Sequence, residues 1–505
     1  MQQKSISEIR GLFLVACGLV TMFFYLSWWF MGSRLQSVPL VLGLVFAFLY
    51  LVMQMFGTWL LYLATHRREE HLTSKENNLT VDVFVTSCGE DHNLIEKSLS
   101  AACKMKGPHV TWLLDDLGDP SLETIAANLG AKYLSRTSQE DAKAGNVNAA
   151  LTKTGGDIIA IFDIDHVPHK DFLERTIRHF TDPEVGFVQV MPTFSNSNES
   201  WVAGAAAETS LDFYNPTSKG MDGFRSVTKM GTNSLIRRKA LESIGGYQPG
   251  LAEDLATSLK LHGDGWQSIY VAEPLAPGLV PADLEAWFTQ QLKWSRGVFE
   301  LLITSFPRLF FKYSFGQKVS YSVRTTKYWI GFAVAVHLFA TIYFLINQDF
   351  DSKIAFESYL LHLFPLLAAD AVIRFLALRK WKSSSVQSQP QKRAVSLVYA
   401  TWPIYTVSWF MALLRIKLLF KPTPKESKQV NLFWLVPQAI VVIALASGLY
   451  LNLTKSLIFS IPLTLCFALL QLGAHVSFFS RVLHSMLHQP SQINKETSQT
   501  LNTLT

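Results

Sequence analysis

Two pairs of acidic residues have the type and spacing that metal binding and acid–base chemistry require. The first pair, Asp163 and Asp165, follows the apolar run 158–162 and is directly followed by His166. Carboxylate oxygens are preferred ligands of Mg²⁺, and imidazole is better tolerated by Mn²⁺. Alternation along an extended chain predicts that both carboxylates lie on the same side. Acidic residues also end strands as turn formers, and this pair alone does not decide between the two interpretations.

The second acidic pair is Glu253 and Asp254, which precedes a stretch with helical periodicity. A carboxylate in this position could act as a general base and remove a proton from an attacking hydroxyl. Acidic residues are also favoured at helix starts by the helix dipole, so the pair by itself is a weak signal.

A third group combines cations with an aromatic ring, since Gln290, Lys293, Trp294 and Arg296 fall within seven residues. Cations can hold a diphosphate leaving group, and the face of a tryptophan can stack on a sugar ring. Taken alone, the same pattern is equally typical of an amphipathic helix at a membrane interface.

The elements that must position these groups are short β-branched runs separated by helical stretches. The predicted strands cover residues 81–87, 110–114, 158–162 and 185–190. This alternation predicts a mostly parallel sheet with helices on both faces, in which ligands bind beyond the carboxyl ends of the strands. Asp115 and Asp116 follow the second strand and therefore belong to the same edge. No GxGxxG or Walker sequence follows the first strand, which disfavours a dinucleotide site or an NTPase.

Composition indicates a membrane protein, because 49% of the 505 residues are hydrophobic and only 17% are charged. Six apolar runs are long enough to span a bilayer, and they cover residues 11–31, 38–65, 329–346, 355–378, 432–451 and 457–479. Basic flanks predict that both termini and the central domain are cytoplasmic. The net charge of +6 suits anionic lipids better than nucleic acid. The four cysteines have no CxxC spacing, so neither zinc nor a disulfide framework is indicated.

Two features of the apolar regions leave alternatives open. The run 395–414 has basic residues on both sides, which predicts an interfacial helix, with a seventh span as the alternative. Asp370 and Arg374 interrupt the fourth span. Charged residues at membrane depth usually face the bundle interior or a pathway, although Arg374 could instead snorkel to the interface.

In their order along the chain, these motifs resemble the processive family 2 glycosyltransferases, most closely the cellulose synthases, over residues 81–425. That family has an early Asp, then D-x-D, T-E-D and Q-x-x-R-W. Asp115 or Asp116 matches the early Asp. Residues 163–166 match D-x-D, residues 253–254 match T-E-D, and residues 290–294 match Q-x-x-R-W. Residues 142–148 are similar to the A-K-A-G-N run of these enzymes, and residues 420–425 to their gating loop.

The resemblance implies a GT-A fold and inverting transfer from a UDP-sugar, with UDP-glucose favoured, to a growing polysaccharide at the inner membrane. The implied roles are catalysis by Asp254 and Glu253; donor binding by Thr86, Glu90, Asp115, Asp116, Lys143, Asp163, Lys293 and Arg296; acceptor binding by Gln290 and Trp294; gating by Phe420, Thr423 and Lys425; and Mg²⁺ or Mn²⁺ binding by Asp163, Asp165 and His166.

The implied organisation has seven parts. They are two transmembrane helices (1–68), a cytoplasmic GT-A domain (69–280), interfacial helices (281–320), a transmembrane hairpin (321–380), an interfacial helix with the gating loop (381–431), a second hairpin (432–480) and a cytoplasmic tail (481–505). Membrane lipids are expected partners, nucleic acid is not, and the sequence leaves open whether an envelope-side partner subunit is required.

The sequence also departs from the family pattern. Ala252 replaces the Thr of T-E-D, Lys293 the Arg of Q-x-x-R-W, and Pro422 the Val of the gating loop. The departures bear on the product more than on the reaction class. A chitin-, hyaluronan-, mannan- or β-1,3-glucan-like synthase and a non-processive lipid glycosyltransferase are therefore alternatives. A non-catalytic membrane receptor or channel that only senses a nucleotide is the alternative from another class.

Overall fold

The computed structural model describes residues 2–30, 38–65, 78–347, 356–380, 392–418, 431–453 and 463–487. Its strands are β1 (Val81–Ser87), β2 (Val110–Asp115), β3 (Lys132–Ser135), β4 (Ile158–Asp163), β5 (Val185–Val190), β6 (Thr193–Phe194), β7 (Ser234–Arg237), β8 (Gln267–Val271) and β9 (Pro277–Gly278). Seven of them form one sheet in the order β3-β2-β1-β4-β7-β5-β8. All pairs in it are parallel except those of β7, which is antiparallel to β4 and β5. The four strands predicted from the sequence are confirmed.

The helices are α1 (Gln2–Phe30), α2 (Val38–Ala64), α3 (His92–Cys103), α4 (Pro120–Asn128), α5 (Ala142–Leu151), α6 (Phe172–Thr176), α7 (Trp201–Asp212), α8 (Ser218–Gly223), α9 (Arg238–Ser243), α10 (Glu253–Gly263), α11 (Leu284–Ile303), α12 (Ser305–Leu309), α13 (Phe315–Thr326), α14 (Ile330–Asn347), α15 (Phe356–Lys380), α16 (Lys392–Ala400), α17 (Trp402–Leu413), α18 (Val436–Leu453) and α19 (Leu463–Leu487). A π-helical turn, Phe213–Thr217, joins α7 to α8.

The sheet is buried on both faces, as expected for nearly continuous apolar strands. Alternate residues of β1 point to opposite sides, so Val83 and Val85 pack with α3 residues such as Leu99. Phe84, on the other face, packs with α5 residues such as Val147. The predicted layer of helices on each face of a mostly parallel sheet is therefore confirmed.

Six of the described helical stretches are long and apolar enough to cross a membrane, and the chain is a multi-pass membrane protein. They cover Arg10–Phe30, Val41–Ala64, Phe315–Asn347, Phe356–Ala377, Leu432–Asn452 and Leu463–His484. The third begins earlier than the predicted residue 329, because α13 continues through a 3₁₀ turn, Lys327–Trp329, into α14.

The run 395–414 is divided between α16 and α17, with Pro403 in the first turn of α17. Proline is tolerated in a first turn but cannot donate the backbone hydrogen bond that would continue a preceding helix. Neither α16 nor α17 is among the helices long enough to span a bilayer. The interfacial position of this segment stays a prediction.

The charged residues of the fourth span, Asp370 and Arg374, contact residues of other helices. Arg374 pairs with Asp370 at 2.8 Å and with Asp212 of α7 at 3.4 Å. Trp59 of α2 donates its indole N–H to Asp370 at 2.9 Å. Because Asp212 and Trp59 come from other elements, Asp370 and Arg374 face protein partners. The position of Arg374 relative to the bilayer stays a prediction.

Candidate active site

The carboxyl ends of the central strands bring the acidic residues to one edge of the sheet. The register pairs Thr86 at the end of β1 with Asp163 at the end of β4, and Ser87 with Asp115 of β2. Strand β7 runs the other way and begins at Ser234, which lies opposite Ile161 of β4. The loop that precedes β7 therefore reaches the same edge. The register places Asp115 and Asp163 at the same edge of the sheet, as predicted, with their side chains on opposite faces.

Asp163, Asp165 and His166 form a cluster whose potential ligand atoms all lie within 4.8 Å of one another. The prediction that alternation along an extended strand brings these carboxylates together was wrong. Strand β4 ends at Asp163, and the next residues turn, so that the backbone N–H of His166 donates to the Asp163 carbonyl at 2.9 Å. A turn, rather than strand alternation, brings the two carboxylates together.

The donor set of this cluster fits a divalent cation. His166 Nδ1 lies 3.1 Å from Asp165 Oδ1, close to the roughly 3 Å between neighbouring ligands of an octahedral ion. Nε2 of His166 is buried and has no hydrogen-bond partner among the described residues. The ring lies against Gly278, where an added Cβ would come within 2.3 Å of Nε2. Two carboxylates and one imidazole suit Mn²⁺ at least as well as Mg²⁺.

Lys143 of α5 connects the metal cluster to the second acidic pair. Its ammonium contacts Asp163 Oδ1 and donates to the Gly231 carbonyl at 2.8 Å. Burial alone would lower the pKa of Lys143, but the charges of Asp163 and Glu253 raise it above its usual value. Burial alone would raise the pKa of Asp163, but the charges of Lys143 and His166 and the hydrogen bond from Lys143 together outweigh burial and lower this pKa. Both groups are therefore charged at neutral pH.

Glu253 and Asp254 occupy the first turn of α10, where Asp254 Oδ1 accepts the backbone N–H of Leu255 at 2.7 Å. Burial and the neighbouring Asp254 charge raise the pKa of Glu253 to about 7. Burial also raises the pKa of Asp254, although the charges of Arg324 and Lys229 oppose the rise. Carboxylates with raised pKa values can exchange protons near neutral pH, as a general base must.

Helix α11 packs directly on the start of α10. A Cβ added to Gly297 would lie 2.8 Å from the backbone nitrogen of Ala252, the residue before the acidic pair. Gln290 and Trp294 precede Gly297 by one to two helical turns and so lie along the same contact. Trp294 is 43% exposed, which leaves its ring available for stacking, whereas Lys293 is buried. Acceptor binding by Gln290 and Trp294 stays a prediction that this placement supports.

Arg296 has a different environment from the one predicted for a donor-binding residue. Its Nε and Nη2 donate to the carbonyl of Ile416 at 3.2 and 3.0 Å, and its Nη1 lies 2.9 Å from Glu300. The guanidinium thus ties α11 to the segment that follows α17. Direct donor binding by Arg296 and by Lys293 stays a prediction. Phe420, Thr423 and Lys425 lie outside the described residues.

Asp115 uses its carboxylate within the loop after β2. Oδ1 accepts the backbone N–H of Leu117 at 2.9 Å, and Oδ2 accepts the N–H of Asp119 at 2.6 Å. The hydroxyl of Tyr133 also donates to Oδ2 at 2.9 Å. Asp115 is fully buried, so it shapes the loop and has little capacity left for a ligand.

Asp116 is the better placed of the two candidates for the early Asp. Its Oδ1 accepts from Arg136 Nε at 2.5 Å, which leaves Oδ2 without a protein donor among the described residues. Glu90 has a structural contact as well, because its Oε2 accepts from Ser87 Oγ at 2.9 Å and from the Cys88 N–H at 2.6 Å. Thr86 Oγ1 lies 3.4 Å from Asp163 Oδ1. Their donor contacts remain predictions.

Sequence reasoning missed the loop before β7. Thr232 accepts the backbone N–H of Asp163 at 3.0 Å and so fixes the end of β4. Lys229 is fully buried and donates to Ser234 Oγ at 2.5 Å. Burial, assisted by the charge of Lys143, lowers the pKa of Lys229 to about 7. The only available signal was a lysine and a Gly-Thr-Asn turn just before an apolar strand, which is not specific.

The fold and this arrangement of carboxylates define a glycosyltransferase domain of the GT-A type within a membrane protein. The sequence model described as "Glycosyl transferase family group 2" matches residues 158–413, about half of the chain. The chain belongs to this glycosyltransferase family. The matched part contains the metal cluster, the acidic pair of α10 and the helix α11.

Curated relatives in the same family include cellulose synthases. Cellulose synthase 1 of Komagataeibacter xylinus is 31% identical over 314 residues, which are 60% of this chain and 20% of that protein. The UDP-forming cellulose synthase catalytic subunit of Xanthomonas axonopodis pv. citri is 30% identical over 315 residues, 58% of this chain and 42% of that protein. The chain therefore spans from a fifth to less than half of the length of these relatives.

Similarity to solved structures is weaker. The mannosyltransferase PcManGT from Pyrobaculum calidifontis, in complex with GDP-Man and Mn²⁺, is 17% identical, with a TM-score of 0.48, and covers 74% of this chain and 100% of that one. Glucosyl-3-phosphoglycerate synthase from Mycobacterium tuberculosis is also 17% identical, with a TM-score of 0.32, and covers 43% of this chain and 78% of that one.

Proposed function

We propose that this protein is an inverting glycosyltransferase that transfers sugar from a UDP-sugar to the end of a growing β-glycan. UDP-glucose is the favoured donor and a cellulose-like β-glucan the favoured product. We further propose that the catalytic domain faces the cytoplasm at an inner membrane and that the six apolar helices carry the polymer outward. The relatives named as UDP-forming cellulose synthases support the choice of donor and product.

One observation carries the proposal. A cluster suited to a divalent cation and an acidic pair with raised pKa values lie together, with Lys143 in contact with Asp163 and within electrostatic reach of Glu253 and Asp254. Transfer from a nucleotide diphosphate needs both parts. Negative charge develops on the leaving diphosphate, and a proton must leave the attacking hydroxyl.

Different residues of this chain would meet these two requirements. Asp163, Asp165 and His166 would hold the divalent cation. When bound, that cation would supply positive charge next to the donor diphosphate. Lys143 adds a second fixed cation on the same side of the site. Asp116, whose Oδ2 has no protein donor among the described residues, would accept a hydrogen bond from the nucleoside.

Asp254 would accept the proton of the acceptor hydroxyl. The hydroxyl oxygen then forms a bond to the anomeric carbon while the bond from that carbon to the UDP oxygen breaks. Attack from the face opposite UDP inverts the configuration. Gln290 and the exposed face of Trp294 would hold the terminal sugar, because the Gly297–Ala252 contact fixes their helix against α10. Glu253 would share the proton with Asp254, as expected for adjacent carboxylates.

The decisive experiment measures UDP release by the purified protein in nanodiscs. UDP-glucose, UDP-N-acetylglucosamine and GDP-mannose are compared, each with Mg²⁺, with Mn²⁺ and with a chelator. We expect metal-dependent release from UDP-glucose and a product that cellulase removes. Release from another donor would keep the mechanism and change the polymer, and a product of one added sugar would show a non-processive enzyme.

Two variants make the result interpretable. Asp163→Ala removes a proposed metal ligand and is expected to abolish release. Glu96→Ala removes an exposed carboxylate of α3 and is expected to leave release unchanged. If no donor is turned over and Asp163→Ala retains wild-type donor binding, the protein is a nucleotide-sensing receptor rather than a transferase. An envelope-side subunit, if required, would show itself as activity recovered only in native membranes.

A further inference from the structure

A cavity of about 280 Å³ lies between the membrane helices and the catalytic domain. Its walls come from α2, α13, α14 and α15, from the end of α7, and from the turns that follow α7 and α13. Three cationic residues line it, namely Arg324, Lys327 and Arg374, together with the single acid Asp212.

Two of the three cations of this cavity form no ion pair with the described residues. Arg374 is neutralised by its pairs with Asp370 and Asp212. Arg324 and Lys327, in contrast, have no carboxylate within 4.0 Å among the described residues. Both instead lie over the ring of Phe213, at 4.9 and 5.4 Å from its centroid. A cation–π contact offsets only part of the cost of placing a cation away from water.

Arg324 also has an unused donor. Its Nε is buried and has no hydrogen-bond partner among the described residues. A buried N–H without an acceptor is rare, and leaving it unpaired costs free energy. The planar guanidinium matches the oxygens of a phosphate, which can accept from two of its N–H groups at once. A neutral glycan in the same place would leave both cations unbalanced.

The cavity has an apolar side as well. Leu51 and Met55 of α2 and Ile330 of α14 contribute to its lining. Helices α2, α14 and α15 belong to candidate membrane spans, so the cavity lies among elements that contact lipid. An occupant with an anionic head and an apolar body would match both kinds of wall.

We propose that this cavity is a binding site for the phosphate group of a membrane lipid, held by Arg324 and Lys327. The site is distinct from the metal cluster, and binding there does not depend on the proposed transfer reaction. Arg324 is nevertheless close enough to Asp254 for its charge to act on that carboxyl. A lipid phosphate held by Arg324 would therefore lie beside the acceptor side of the active site.

The test is direct binding of a defined lipid to the full chain in a neutral detergent, measured by native mass spectrometry. Dioctanoyl phosphatidic acid is compared with dioctanoylglycerol, which has the same tails and no phosphate. We expect wild-type protein to bind phosphatidic acid at least about tenfold more tightly, because charge-assisted hydrogen bonds contribute on this scale. Arg324→Gln combined with Lys327→Gln should remove that preference.

Three comparisons keep the result decisive. Lys318→Gln changes a lysine of the same helix that lies over Phe310 rather than in the cavity, and it should bind like wild type. If the double variant does not fold, Arg324→Lys provides a second test. It keeps the charge, so it should retain most of the preference for phosphatidic acid. Equal binding of both lipids, or an unchanged preference in the folded double variant, would overturn the proposal. Displacement of the lipid by an equal concentration of inorganic phosphate would show a general anion site and would also overturn it.

Discussion

The contact between Gly297 and Ala252 gives the sharpest test of how the active site is assembled. Helix α11 carries the proposed acceptor residues, and α10 carries the proposed base. They meet where a Cβ on Gly297 would lie 2.8 Å from the Ala252 nitrogen and 2.9 Å from the Ala252 Cβ. Gly297→Ala places a methyl group at that point. Backbone atoms cannot move aside as a flexible side chain can, so the two helices must separate.

The size of the effect follows from these distances. Ordinary contact begins at 3.4 Å, so α11 must move by about 0.6 Å relative to the start of α10 to restore it. Overpacking of this kind costs about 1–3 kcal/mol. Alanine regains about 1 kcal/mol of helix propensity over glycine, which leaves a small net loss of stability. Displacements near 1 Å can cost about 10²-fold in rate, so we expect kcat to fall about tenfold.

The assay combines metal-dependent UDP release with thermal unfolding of the same preparations. Gly473→Ala is the matched control, because Gly473 also lies in a helix and has no atom within 4 Å of an added Cβ. We expect wild-type turnover for the control. A Gly297→Ala protein that turns over as fast as Gly473→Ala would refute the claim that this contact positions the base against the acceptor.

Three further variants test individual residues. Asp254→Asn should lower UDP release by about 10²-fold or more while donor binding, measured by calorimetry, persists; turnover at the wild-type rate would exclude Asp254 as the base. His166→Ala should raise the Mn²⁺ concentration needed for half-maximal release more than the corresponding Mg²⁺ concentration, and equal shifts would argue against an imidazole ligand. Lys229→Met removes a charge that lowers the pKa of Asp254, so that pKa should rise and the acidic limb of the pH–rate profile should move to higher pH. A limb that stays in place or moves to lower pH would contradict this role of Lys229.

Much of the architecture could be predicted from the sequence, because it depends on local periodicity. Strands such as 158–162 and 185–190 are continuous apolar runs, and the membrane helices are long apolar runs, so neither depends on distant partners. Asp115, Asp116, Asp163 and Asp165 lie at or directly after strand ends. Their position at one edge of the sheet follows from the parallel arrangement of β1, β2 and β4, which the alternation of strands and helices already indicated.

Other features of the site depend on contacts between residues far apart in sequence. The loop before β7 reaches the site only because β7 is inserted antiparallel beside β4, and strand direction has no local signature. Asp115 and Asp116 are equivalent in sequence, and the difference between them comes from Tyr133 and Arg136 on neighbouring segments.

The sequence by itself determined the class of fold, the apolar helices and the residue types of the site, because each is encoded by neighbouring residues. The tertiary structure decided which residues meet. The Gly297–Ala252 contact joins two residues more than forty positions apart, and Arg374 contacts Asp212 at a separation of 162 residues. Such contacts are fixed by packing and by the cost of burying unpaired charge, which depend on the whole chain at once.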